Sequence, residues 1–212
     1  MGTKVNSGLI LLWVMAWSLL MATALCQAAP TPAAAAADFP PSTESGGQRL
    51  QLNGTGVRYK AILRVYEAGL YTVAPVQTAD EFFALKGPKR LHMVARRDID
   101  ANELARMLVR GVSDANPREL VNRQLVGLAQ LGEMFASRPQ IRSGDTFGFE
   151  YLPGVGTRIV VNGHAVGEPV RDPDFFLMIM RLWLGPQPVD TRLKSALLGG
   201  PTQRDFSVAQ VP

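Results

Sequence analysis

From residue 52 to residue 71 polar and apolar positions alternate. Val57, Tyr59, Ala61, Leu63 and Val65 interleave with Arg58, Lys60, Ile62, Arg64 and Tyr66. A period of two predicts β structure with the first set on a core and the second, carrying three cations and a tyrosine, on the opposite face. Asn53, Gly54 and Gly56 supply turn chemistry just upstream, because Asn and Gly tolerate positive φ at little cost. Leu91, Met93 and Ala95 alternate with His92, Val94 and Arg96, which predicts another strand. Phe147, Phe149 and Tyr151 alternate with Gly148 and Glu150, and turns at 153–156 and at Asn162–Gly163 bracket a returning strand. This is a hairpin pattern.

Elsewhere the period changes to that of a helix. Thr78 to Glu81 can cap a short helix through Phe82, Phe83 and Leu85, ended by Gly87–Pro88. Asp100 to Glu103 has the capping-box arrangement, followed by Leu104, Met107, Leu108 and Val112 at helical spacing. Asn116–Pro117 opens a further helix with Val121, Leu125, Leu128 and Phe135 as its buried stripe. Asp172 starts one through Phe176, Met180 and Trp183, and Val189–Asp190 starts the last, through Leu193, Ala196 and Leu197 to Gly199. Strands joined by tight turns, then helices, a hairpin and helices, predict an α+β domain. Its antiparallel β-sheet is expected to pack against a layer of α-helices covering one face.

The first residues change the picture of where this domain works. Lys4 is followed by 17 mostly apolar residues, Leu9 to Leu25, and then by small ones. That is the pattern of a secretory signal peptide over 1–28, removed near Ala28 or Ala29, with Ala24 as a second site. The run also reaches the lower limit for a membrane-spanning helix, so a retained N-terminal anchor and proximity to a membrane form the alternative. Cys26 follows Leu25 where a lipid-modified cysteine would follow a small residue; its loss with the leader leaves a mature chain without cysteine. Residues 29–48, rich in Ala and Pro, are expected to be a flexible linker in which Asp38–Phe39 has no role unless it docks. The domain then occupies 49–200 and a tail 201–212. The expected location is periplasmic.

Net charge is +4, with the cations scattered. No basic stripe with interleaved aromatics marks a nucleic-acid partner. The glycines do not follow the order of a phosphate-binding loop, and no metal-ligand spacing or cofactor motif stands out. His92 and His164 read as structural and exposed residues respectively. Capping accounts for Asp100 and Glu103 more simply than paired catalytic carboxylates do.

Three segments together resemble a known family. G-x-G-V-R at 54–58, V-Y-x-x-G-x-Y at 65–71 and W-L-G-x-x-P-V-D at 183–190, with a terminal L-L-G, are similar to the chalcone isomerase-like family, in particular its bacterial exported branch. The resemblance implies an open-faced β-sandwich. It also implies a site in which an arginine, here Arg58, attracts an anion. Active isomerases carry a threonine where this chain has Tyr66. They draw a tyrosine and an asparagine from a helix that corresponds to 100–114, which here lacks tyrosine and has Asn102 in its first turn. Leu182 takes the place of a hydroxyl residue that helps hold the substrate. Chalcone isomerisation is therefore not expected, and no catalytic residue is assigned.

The tyrosine at 66 instead resembles the non-catalytic members that bind fatty acids. The implied ligand is a small apolar or amphipathic one, such as a fatty acid, gripped by Arg58 and Tyr66, with Arg64, Tyr71 and Leu182 as further contacts. An isomerase or intramolecular lyase acting on another enone, and an envelope accessory or scaffold protein, are the alternatives. The pairing carries a geometric condition. A straight strand would separate Arg58 from Tyr66 by about 26 Å. Both reach one head group only if the chain reverses near Lys60 to Ile62, where no Gly or Pro announces a turn.

Overall fold

A computed structural model describes residues 38–136 and 140–200. The chain divides into units Met1–Ala35 and Ala36–Pro212, and every described residue belongs to the second. The expected leader, the first part of the expected linker and the expected tail lie outside the described residues.

The element order is β1 (Ser42–Ser45), β2 (Gln48–Lys60), β3 (Leu63–Thr72), α1 (Ala79–Ala84), β4 (Lys89–Ala95), β5 (Ile99–Asp100), α2 (Ala101–Asp114), α3 (Arg118–Arg123), α4 (Leu125–Ala136), β6 (Gln140–Ile141), β7 (Thr146–Leu152), β8 (Gly156–Val161), β9 (His164–Val170), α5 (Pro173–Leu184) and α6 (Thr191–Leu197). Seven strands form one sheet in the order β1-β2-β3-β4-β7-β8-β9, and β5 pairs with β6. Each neighbouring pair is antiparallel.

The helices cover one face of the sheet, as the pattern predicts. Ala68, Leu70, Leu91, Met93, Phe147 and Phe149 point into a core shared with α2, α4 and the almost wholly buried α5. His92 lies on the opposite face from Leu91 and Met93, as expected. Burying about ten large side chains this way is the main driving force for the layer, at ~2 kcal/mol each. Three helix starts are capped as their sequences suggest. Thr78 and Glu81 complete a capping box, Asp100 accepts from the Glu103 N–H, which is half of the box expected there, and Asp172 accepts from the Asp174 N–H.

Four expectations change. The stretch 52–71 is a hairpin, not one strand: the chain reverses at Ala61–Ile62, with Ala61 in the left-handed region at φ 54°. Leu63 is consequently exposed while Tyr66 is buried, the reverse of the simple alternation. Gly54 and Gly56 make no turn. They lie in β2, where a Cβ on Gly54 would overlap the Ala196 carbonyl oxygen and one on Gly56 would press on Leu193 and Ala196. Glycine is there so that α6 can lie directly on the strand.

The third change concerns the helix expected to open at 116–117. It breaks at Gln124, whose buried amide donates to Asp172 at 2.6 Å, and the break rotates Leu125 out to 57% exposure. Met107 is likewise half exposed. Last, residues 38–48 belong to the fold. Ser42–Ser45 pairs with β2, and Phe39 is buried against the outer face of the sheet. Gly69 makes room for it, since a Cβ there would strike the Phe39 ring. The glycine of V-Y-E-A-G-L-Y is thus a notch for an N-terminal strap.

Candidate functional site

The reversal at Ala61–Ile62 satisfies the condition set by the sequence. Arg58 and Tyr66 are direct partners across β2 and β3. Directly opposed residues of an antiparallel pair put their side chains on one face, with Cβ atoms ~5 Å apart. That face is the one under α5 and α6.

Tyr66 is buried with its ring edge-on to Phe147, centroids 6.0 Å apart. Its hydroxyl accepts a 2.9 Å hydrogen bond from the indole N–H of Trp183, on the last turn of α5. Burial pushes the phenol up to about 12; the Trp183 bond and the Arg58 cation offset this in part, and Asp190 adds to it. The hydroxyl therefore stays protonated at any ordinary pH. Having accepted from Trp183, it keeps its own proton to donate.

Arg58 reaches the mouth of the same site. Its Nη1 lies 3.3 Å from the Asp190 carboxylate and also donates to the Tyr59 carbonyl oxygen, and its side chain is 29% exposed. Asp190 is the N-cap of α6, where its other oxygen accepts from the backbone N–H groups of Arg192 and Leu193. The carboxylate is held from both sides, by a helix N-terminus and by a guanidinium.

The other sequence candidates do not join this pair. Tyr71 stands on the outer face, where its hydroxyl donates to the Pro40 carbonyl oxygen at 3.1 Å. Burial pushes its phenol up to about 12, with Arg90 offsetting part of the shift. Arg64 is half exposed and points to Glu67, 3.9 Å away, also on the outer face. Leu182 is buried on the side of α5 that meets α2, its methyl group filling the space left by Gly111. The register explains all three: from Tyr66 onward the odd and even positions of β3 serve different faces, the β-bulge between Arg58 and Tyr59 pairs Arg64 with Tyr59 on the outer face, and successive residues of α5 point in different directions.

In the sequence Asp190 and Trp183 have no chemical role beyond a family motif, a helix start and a helix position. A usable signal was present, because a carboxylate two residues after a Pro and next to a helix start is a cap whose spare oxygen needs a cation. Among the described residues no three His, Cys, Asp or Glu side chains gather to hold a metal ion, and no helix is long and apolar enough to cross a membrane. An open groove of ≈ 690 Å³ runs along the outer flank of α6, lined by Asn53, Val76, Lys194 and Leu198 among others. It includes neither Arg58 nor Tyr66. Phe147 and Trp183 contact Tyr66 directly.

A family model described as chalcone isomerase-like matches residues 32–199. Among solved structures, that of a fatty-acid binding protein from Arabidopsis thaliana is similar, with a TM-score of 0.59 and 17% sequence identity over 76% of this chain and 91% of that one. No curated protein sequence matches.

Proposed function

The chain belongs to the chalcone isomerase-like family, and from that premise we propose that it is a non-catalytic binder of a fatty acid or a similar small amphipathic carboxylate. One observation carries the reading: Arg58, the cross-strand partner of Tyr66, already holds a carboxylate, that of Asp190. The ligand's head group exchanges with Asp190, taking charge-assisted bonds from Arg58 and a further one from the Tyr66 hydroxyl. Its acyl chain enters beside Tyr66, where Trp183 packs near Phe149, so binding repacks the end of α5 against the sheet. The fold shared with a protein named for fatty-acid binding supports this ligand class. A binder is favoured over a catalyst because the phenol is held far above neutral pH and His92 faces the other side of the sheet. The Tyr66 phenol is therefore not poised to exchange protons near pH 7.

Calorimetric titration of the full chain with a series of saturated fatty acids, and with the matching alcohols, tests the proposal. Acids bind and alcohols do not. Arg58→Leu weakens binding by about tenfold or more, the worth of a charged hydrogen bond. Equal binding of acids by Arg58→Leu and the parent chain would overturn it, as would turnover of chalcones that disappears in Arg58→Ala. We place this function outside the cytoplasm, on the strength of the leader pattern at 1–28. N-terminal sequencing of protein from an envelope fraction decides, since a start near Pro30 supports cleavage and an intact Met1 refutes it.

A further inference from the structure

The β2–β3 hairpin runs beyond the rest of the sheet. Lys60 and Leu63 close its ladder, whereas the pairing of β3 with β4 ends at Tyr66 and Ala95. The Arg96 N–H still bonds to the Val65 carbonyl oxygen at 2.9 Å, so Leu63 and Arg64 project, about 7 Å of strand. On the other edge β1 pairs only with Gln48–Gln51, at the opposite end of β2. The tip stands free on both edges.

Its composition is the reverse of what such a turn favours. Ile62 is 89% exposed and Leu63 is 51% exposed, and Ala61 takes φ 54°. A left-handed alanine costs ~1 kcal/mol that Gly or Asn would not. The β8–β9 hairpin of the same chain uses Asn162–Gly163, both at positive φ, in the usual way. At the β2–β3 tip the chain has apolar surface where turn chemistry would be cheaper. Around that surface stand Lys60 and Arg64, both exposed, with Tyr59 half-buried below them. From Gln48 to Tyr66 there is no Asp or Glu, and Glu67, 3.9 Å from Arg64, lies at the base of the tip with its side chain 5% exposed.

We propose that this tip is a docking surface for an anionic lipid bilayer, with Ile62 and Leu63 entering the head-group layer and Lys60 and Arg64 meeting the lipid phosphates. A projecting apolar pair above a collar of cations, with an aromatic residue at its base, matches the charge and the polarity gradient of such a surface. A second copy of the chain fits less well, since a symmetric contact at the tip would bring the two collars of like charge together. The surface stands independently of the acyl site, because neither Arg58 nor Tyr66 enters the argument.

The test uses the full chain. Residues 9–25 are apolar enough to hold a vesicle unaided, so the readout is taken at the tip. An environment-sensitive fluorophore is attached at Ile62→Cys in a Cys26→Ser background and, in a parallel chain, at Val155→Cys. Val155 is an exposed apolar turn residue at the other end of the sheet. Vesicles are phosphatidylcholine alone, or with about a third phosphatidylglycerol, and free of fatty acid. The expected result is a blue shift and a several-fold rise in emission at position 62 with the anionic vesicles only, and none at 155. Lys60→Gln weakens that response about fivefold, and Leu63→Asp weakens it about tenfold. No change at 62 with either vesicle overturns the proposal. So do equal changes at 62 and 155, or a change at 62 that grows with protein concentration in the absence of lipid, which would identify self-association.

Discussion

Two arginines bind carboxylates on opposite faces of the β3 strand, and they do so in different ways. On the outer face Arg96 bonds to Glu67 at 2.7 Å and to Asp38 at 2.8 Å, tying the N-terminal strap to the sheet. Burial works against its charge, but the bonds from Glu67 and Asp38 outweigh it and raise its pKa. On the helix face Arg58 has one carboxylate partner at a longer 3.3 Å, and both members are partly open to water. The first arrangement is a structural tie in which one guanidinium nitrogen holds two carboxylates. The second is a contact that an incoming anion can exchange. What separates a fastening from a binding site here is the number of partners and the closeness of the bonds, since the residue types are the same.

The comparison can be broken from the outer face first. Glu67→Ala should cost about 2–3 kcal/mol of stability, the worth of a charged hydrogen bond, since Asp38 stays on Arg96. Denaturant unfolding of this variant beside Arg58→Ala checks the contrast, the latter costing less than about 1 kcal/mol as a partly exposed pair.

A pH scan sharpens the contrast next. His92 lies beneath the strap, its ring 5.6 Å from that of Phe39, and burial, aided by Arg90, pushes its pKa down to about 4 against the opposing pull of Asp38. Between pH 6.5 and 4 the unfolded chain takes up a proton that the folded imidazole refuses. Stability is therefore lost as pH falls through that window, by on the order of 2 kcal/mol. His92→Gln should flatten this part of the profile, seen as a smaller drop in midpoint temperature between pH 7 and pH 4.

The smallest effect lies on the helix face. Asp190→Ala removes the α6 cap and costs about 1 kcal/mol. It also frees Arg58, so fatty-acid affinity should rise about fivefold where Glu67→Ala leaves it unchanged. Calorimetry on both variants measures this, and a fall in affinity on removing Asp190 would show that the carboxylate helps to hold the ligand.

Local pattern determined the fold class, most helix starts and the facing of β4 and β7. Capping residues, the Asn162–Gly163 turn and two-residue alternation act over a few positions, and a single chain displays them. The family motifs likewise pointed to Arg58 and Tyr66. What the sequence could not display was the reversal at Ala61–Ile62, made without Gly or Pro, which turns a strand's length of separation into a direct cross-strand pair. Nor could it show why Gly54, Gly56 and Gly69 are glycines: each answers to a neighbour far along the chain, the first two to α6 and the third to Phe39. Asp190 follows the same logic, a cap in sequence and an arginine's partner only in space. Close approach between distant segments is a property of packing, and only the assembled sheet and helices decide it.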